Sequence, residues 1–100
     1  MIIKACYYES DKNGFRTLFH DSVYRTVGPI TGSYNVLLAR LFGVSYVDFF
    51  KILMKDYHAD VRGKDSKYLA FSFKNEDDVK CFCNEVNKRW NYAMRDYKEE

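Results

Sequence analysis

Apolar residues recur at three- and four-residue intervals over residues 33–57, the longest apolar stretch of the chain. The first part predicts a helix over Ser33–Phe42, because a serine can cap its start and Gly43 is the residue type that ends helices with a positive φ. Ser45, three residues before Asp48, predicts the start of a second helix that runs to the end of the stretch. Apolar side chains cover most of its circumference, so we expect this second helix to be mostly buried.

Alternation of apolar and polar residues predicts strands elsewhere in the chain. The predicted strands span residues 2–8, 59–62 and 67–73. Between the first strand and the helix pair, apolar residues from Phe15 onward return at helical spacing until Gly28 and Pro29. This spacing predicts a further helix, although several β-branched residues within it lower its helix propensity.

Asn75 and Asp78 form a capping pair at the start of the last predicted helix, whose first turn holds three carboxylates. One apolar stripe follows at helical spacing and consists of Val79, Phe82, Cys83, Val86, Trp90, Ala93, Met94 and Tyr97. The stripe predicts an amphipathic helix of about 22 residues that lies across the sheet. We expect Trp90 to be buried in the core.

Together these elements predict an α+β fold in a single compact domain over residues 1–100. Its expected parts are a small three-stranded antiparallel sheet, a two-helix central unit and a long C-terminal amphipathic helix. A chain of 100 residues can bury a core without help from metals or disulfides.

Composition narrows the class of protein. Hydrophobic residues make up 47% of the chain and aromatic residues 18%, and a disordered segment would contain fewer large apolar side chains. Charged residues interrupt every stretch that is long enough to span a membrane. The start of the chain lacks the pattern of a signal peptide, and three cysteines cannot all pair, so we expect a reducing, cytoplasmic location. Because the net charge is only +2, any contact with nucleic acid must come from a local patch.

The helix pair also has the spacing of a helix-turn-helix. Ala39 lies four residues before Gly43, and Val44, Phe49 and Ile52 occupy positions that hold core side chains in that motif. The positions that would face a major groove are Ser45, Tyr46, Val47, Phe50 and Lys51. They offer one cation and no Arg, Asn or Gln to read base edges, so the pattern favours two core helices joined by a glycine cap.

No constellation of residues indicates catalysis. Cys81 and Cys83 project about 200° apart on a helix and cannot chelate one ion, and neither His20 nor His58 has an evident nucleophile beside it. The loop Gly28–Ser33 precedes a helix start and offers an anion site, but it lacks the lysine and glycine spacing of a P-loop. We therefore expect no enzyme activity, no metal and no cofactor.

Exposed cations and aromatic residues are the candidate contacts for a protein partner or nucleic acid. These candidates are Tyr46, Phe50, Lys51, Lys55, Arg62, Lys64, Lys67, Lys88 and Arg95.

One further pattern spans the helix pair. It consists of Gly32, Ser33, Tyr34, Asn35, Leu38, Ala39, Arg40, Gly43, Ser45 and Tyr46. Over residues 28–90 the chain resembles small uncharacterised proteins of bacteriophages and integrated elements of Gram-positive bacteria. That resemblance implies a setting inside a bacterial host cell, and no particular mechanism.

This setting, with the lack of catalytic motifs and the surplus of aromatic residues, leads to three functional hypotheses. The first is a non-catalytic phage protein that inhibits a host defence component by stoichiometric binding, as anti-CRISPR proteins do; its partner would be a host protein or ribonucleoprotein. The second is a small helix-turn-helix DNA-binding regulator. The third is a sponge for a nucleotide signal that uses the loop before the first central helix.

Overall fold

A computed structural model describes residues 4–20, 34–62 and 70–95 of the chain. The fold combines strands and helices and ends in a long helix, which confirms the predicted α+β class. In chain order the elements are β1 (Cys6–Asp11), β2 (Gly14–Phe19), α1 (Tyr34–Leu41), α2 (Tyr46–Asp56), β3 (Asp60–Arg62), β4 (Ala70–Ser72) and α3 (Glu76–Ala93).

The first sheet is a hairpin. β1 and β2 pair antiparallel from Cys6 opposite Phe19 to Asp11 opposite Gly14. In the turn, the Asn13 N–H donates to Asp11 Oδ1 over 2.7 Å, which is a side-chain-stabilised turn typical of aspartate. The helix predicted from Phe15 is therefore wrong over β2, because pairing with β1 gives this backbone its hydrogen bonds. The rest of that predicted helix lies outside the described residues.

The second sheet is also two-stranded. β3 and β4 pair antiparallel, with Val61 opposite Phe71 at the centre. A single antiparallel bridge joins the two sheets: the Phe15 N–H donates to the Phe73 carbonyl over 2.7 Å, and the reciprocal bond is 2.8 Å. The predicted three-stranded sheet is wrong because the unpredicted β2 stands between β1 and the second sheet. The bridge stays one pair long because the chain turns after Phe73 to begin α3.

The turn between α1 and α2 confirms the glycine cap. Gly43 has a φ of +69°, its N–H donates to the Arg40 carbonyl, and the Val44 N–H donates to the Ala39 carbonyl, both over 3.0 Å. These two bonds form a Schellman motif, which needs the left-handed conformation that glycine adopts without strain. Ser45 then caps α2, because its Oγ accepts the Asp48 N–H over 3.2 Å.

Helix α2 is more exposed than its composition predicts. Among its residues only Phe49 and Leu53 are fully buried. Val47 and Met54, expected to be buried, are 51% and 37% exposed. One face of α2 packs on the core, and no other element covers the opposite face within the described ranges.

Helix α3 follows its sequence pattern. Asn75 caps it as predicted, but its Oδ1 accepts the Asp77 N–H over 2.8 Å. The expected partner Asp78 lies 3.4 Å from His58 instead. The buried stripe contains the expected Trp90. The helix has 18 residues and ends at Ala93, so it is shorter than predicted; Tyr97 lies outside the described residues.

Phe82 of α3 lies at the centre of the core and is fully buried. Its ring contacts the rings of Phe42, Phe49, Tyr57, Phe71 and Phe73, with centroids 5.3 to 6.5 Å apart. These residues come from the end of α1, from α2 and from the second sheet. The ring cluster therefore holds three parts of the chain against α3.

Asn87, one turn beyond Cys83 on α3, fastens the hairpin to the helix. Its Oδ1 accepts the N–H groups of Ala5 and Cys6 over 2.6 and 2.8 Å, and its Nδ2 donates to the Cys6 carbonyl over 2.9 Å. The amide thus satisfies backbone groups at the outer edge of β1 that a neighbouring strand would otherwise bind.

Within residues 4–20, 34–62 and 70–95, no helix combines the length and the apolar character needed to cross a membrane.

We predict that Phe82→Ala destabilises the fold by about 3–5 kcal/mol, because it removes the ring around which the other rings pack and leaves a cavity. Urea unfolding measures the change. Tyr92→Ala on the same helix is the control: this side chain is 66% exposed, and we expect a loss of under about 1 kcal/mol. Equal losses for the two variants would contradict the central role of Phe82.

We predict that Asn87→Ala costs about 1–3 kcal/mol, because it leaves the Ala5 and Cys6 N–H groups unpaired at a partly buried site. Asn84→Ala is the control, at an exposed position one turn earlier on the same helix. It makes the same change in helix propensity but removes none of these hydrogen bonds. Hydrogen exchange adds a local readout: the Ala5 and Cys6 amides should lose protection in Asn87→Ala only. Unchanged protection would show that the amide does not anchor β1.

Candidate binding cleft between the two sheets

A cleft of about 440 Å³ lies where the hairpin meets the second sheet. Its lining combines two aromatic rings, three cations and two carboxylates with Asn13 and Ser72. The rings belong to Phe15 and Phe71, the cations to Arg16, Arg62 and Lys74, and the carboxylates to Asp11 and Asp60. The volume falls in the range of roughly 300–1,000 Å³ that ligand sites occupy.

The cleft exists because Gly14 lets the two sheets approach. Gly14 has a φ of +125°, and a Cβ at this position would collide with the carbonyl oxygen of Phe73. Only glycine combines this conformation with so close a backbone contact. The next residue, Phe15, then makes the bridge to Phe73 that sets the spacing of the cleft walls.

The aromatic floor is continuous with the core. Phe15 packs edge-on against Tyr8, with centroids 6.1 Å apart, and Phe71 packs against Phe82 at 5.7 Å. Both floor rings are half-buried. Because the core fixes their inner faces, the floor presents rigid apolar surface to a ligand.

The charged rim is exposed. Arg16 Nε donates to Glu9 Oε1 over 2.7 Å, and Arg62 Nη2 lies 3.6 Å from Asp60 Oδ2. The hydrogen bond and the charge of Glu9 raise the pKa of Arg16, so this guanidinium stays charged. Lys74 makes no ion pair within the described part of the chain.

Three cations and two carboxylates line the cleft, so this surface is mixed in charge and not uniformly basic. A phosphate backbone would have to approach Asp11 and Asp60 as well as the cations, which costs electrostatic energy. A protein segment can offer both signs of charge and an apolar side chain for the floor. The cleft therefore places charges of both signs beside an apolar floor.

The predicted contact residues do not gather at one place. Arg62 lines the cleft, whereas Lys64 and Lys67 lie outside the described residues. Lys51 and Lys55 are exposed on α2, and Lys88 and Arg95 are exposed towards the end of the chain.

The two aromatic candidates, Tyr46 and Phe50, are only partly exposed, because both pack against the core. They are therefore less open to a partner than the lysines of α2.

Arg62 is the one residue of the cleft that was predicted as a contact from the sequence. The floor rings Phe15 and Phe71 were not predicted, and neither were the cations Arg16 and Lys74. Arg16 fell in a segment predicted to be helical, and Lys74 lies far from it in the chain. The Asn13-Gly14 pair carried a usable signal, because Asn-Gly between apolar segments is a strong indication of a β-hairpin. A hairpin there would have placed Arg16 on a strand.

The exposed face of α2 is the other surface of interest. Lys51 lies 4.0 Å from Asp48, and Asp56 follows Lys55 in the chain. Lys51 thus has a carboxylate near its ammonium group, whereas adjacent helix residues such as Lys55 and Asp56 do not face each other. The Lys51–Asp48 pair reduces the positive charge that this face offers to a phosphate backbone.

Each histidine has one contact of note within the described ranges. His20 packs on the ring of Tyr7 at 5.0 Å, and His58 Nδ1 lies 3.4 Å from Asp78 Oδ1. Among the residues that the structure describes, no group of three His, Cys, Asp or Glu side chains is placed to hold a metal ion.

Comparison of the chain with protein-family models, with curated proteins and with solved structures finds no match in any of the three. We therefore infer function from the residues and geometry above.

We predict that Gly14→Ala destabilises the fold by at least about 2 kcal/mol, because the new Cβ forces the Phe15–Phe73 bridge apart. Gly43→Ala is the matched control: it also has a positive φ, but nothing lies within 4 Å of the new Cβ, so only about 1 kcal/mol of backbone strain is expected. Urea unfolding of both variants measures the difference. A smaller loss for Gly14→Ala than for Gly43→Ala would contradict the proposed contact.

Proposed function

We propose that the chain is a non-catalytic, bacteriophage-type binding protein that inhibits a host defence component by stoichiometric binding, in the manner of anti-CRISPR proteins. The observation that carries the proposal is the cleft between the two sheets, with its rigid floor of Phe15 and Phe71 and its rim of mixed charge. The resemblance to small phage proteins supports the setting, which is the cytoplasm of a bacterial host.

Binding would begin at the floor. An apolar side chain of the partner that covers Phe15 and Phe71 removes aromatic surface from water, and aromatic anchors of this kind dominate binding energies at protein interfaces. Because the floor is already ordered by the core, little conformational entropy is lost on binding.

The rim would then set specificity. The pairs Arg16–Glu9 and Arg62–Asp60 are exposed, and exposed ion pairs contribute only about 0–1 kcal/mol each, so they can exchange partners at low cost. Lys74 is available for a carboxylate of the partner. This arrangement favours a protein surface, or the protein part of a ribonucleoprotein, over nucleic acid alone.

A DNA-binding regulator remains the second candidate, because α1, the Gly43 turn and α2 form a helix-turn-helix-like unit with Lys51 and Lys55 exposed. The two candidates use different surfaces. Charge reversal on one surface at a time separates them. The nucleotide-sponge hypothesis depends on Gly28–Ser33, which lies outside the described residues.

We predict that the tagged protein retains a stoichiometric host protein from bacterial lysate, with or without nuclease treatment. The variant Arg16→Glu/Arg62→Glu/Lys74→Glu should weaken this capture about tenfold or more, because it reverses every cation of the cleft. The control Lys51→Glu/Lys55→Glu/Lys88→Glu has the same change in net charge at exposed positions of α2 and α3, and it should bind as the unmodified chain does. Circular dichroism confirms that both variants are folded.

Two outcomes would overturn the proposal. In the first, only DNA is recovered, and this recovery is lost both after nuclease treatment and in the control variant. That result would show that the helix pair, and not the cleft, is the binding surface. Equal capture of the host protein by both triple variants would show that the cleft is not the contact surface.

A further inference from the structure

Two buried cysteines lie together where the hairpin meets α3. Cys6 begins β1 and Cys83 lies on the buried face of the helix, and they are 2% and 4% exposed. Their Sγ atoms are 2.6 Å apart. The three hydrogen bonds of Asn87 to Ala5 and Cys6 hold the backbone at this point, so neighbouring groups fix the position of the pair.

We infer that Cys6 and Cys83 are a dithiol site that closes to an intramolecular disulfide when the protein meets a small organic disulfide such as glutathione disulfide. A disulfide bond is ~2.05 Å long, so the two sulfur atoms need to approach by only about half an ångström. Cys81 does not compete for either partner, because it is exposed and projects away from Cys83 on the helix.

The pair borders a groove that opens to the surface. This groove, of about 200 Å³ between β1 and α3, is lined by both cysteines and by Lys4 and Lys80. Lys80 lies 3.9 Å from Glu76, so Lys4 is the cation that most favours the carboxylates of glutathione disulfide. The groove follows the outer edge of β1, whereas the proposed binding cleft lies beyond β2, so this inference does not depend on the proposed function.

The reaction proceeds by two thiol–disulfide exchanges. The thiolate of one cysteine attacks a sulfur of glutathione disulfide, forms a mixed disulfide and releases one glutathione thiolate. The thiolate of the other cysteine then attacks the protein sulfur of the mixed disulfide and releases the second. The dithiol loses two electrons and two protons, and glutathione disulfide gains them to become two glutathione molecules.

The environment of the pair affects its reactivity. The hydrogen bond with Cys83, followed by burial, raises the pKa of the Cys6 thiol. Little Cys6 thiolate is therefore present at neutral pH, and the exposed Cys81 should react with alkylating reagents before the buried pair does. Proximity then decides the product: the neighbouring thiol resolves a mixed disulfide formed at Cys6 or Cys83, whereas Cys81 has no second thiol beside it.

The disulfide would link β1 covalently to α3, between residues that are 77 positions apart in the sequence. A link over so long a loop restricts the unfolded chain, so we expect oxidation to raise the melting temperature by about 10 °C.

The test uses the full chain and a Cys81→Ser variant, each incubated with glutathione disulfide, quenched with acid and mapped by mass spectrometry after alkylation in denaturant. We expect a peptide cross-linked through Cys6 and Cys83 in both proteins, and Cys81 only as a mixed disulfide with glutathione. The rise in melting temperature should appear in Cys81→Ser and disappear with dithiothreitol. Cys6→Ser and Cys83→Ser should show no rise.

The peptide map decides the question even where a single-cysteine variant does not fold. Recovery of Cys6 and Cys83 as alkylated thiols after oxidation of the folded chain would overturn the inference. A cross-link from either residue to Cys81 would overturn it as well.

Discussion

The packing of aromatic rings around Phe82 is the constraint on which the rest of the described structure depends. This one side chain of α3 contacts rings from the end of α1, from α2 and from the second sheet, and several of these rings also contact one another. A smaller cluster of Ala5, Leu37 and Trp90 extends the same helix face towards its C-terminal end. Helix α3 therefore acts as the common support for both halves of the chain.

The geometry of the cleft follows from that core. Phe73 places its ring against Phe82 and its backbone against Phe15, so the residue that completes the core also joins the two sheets. The floor of the cleft is consequently rigid, while the rim consists of exposed side chains that can change partners. This rigid apolar floor and adaptable charged rim are the features from which we propose that the cleft binds a protein.

The hairpin is held to α3 by local contacts of a different kind. The Asn87 amide binds the backbone of β1, and the neighbouring Cys6 and Cys83 place two sulfur atoms in contact. Hydrogen bonds make this attachment in the reduced chain, and a covalent bond between the same two elements would strengthen it. This junction and the cleft lie on opposite edges of the hairpin.

The sequence by itself determined the features that depend on near neighbours in the chain: the Gly43 turn, the Ser45 and Asn75 caps and the buried stripe of α3. The tertiary structure decided what depends on distant partners. The apolar spacing after Phe15 predicts a helix, but the segment forms strand β2, because pairing with β1 supplies its backbone hydrogen bonds. Arg16, Arg62 and Lys74 form one rim only because the Phe15–Phe73 bridge aligns the sheets. Capping is local, whereas pairing and burial require contacts between residues far apart in the chain.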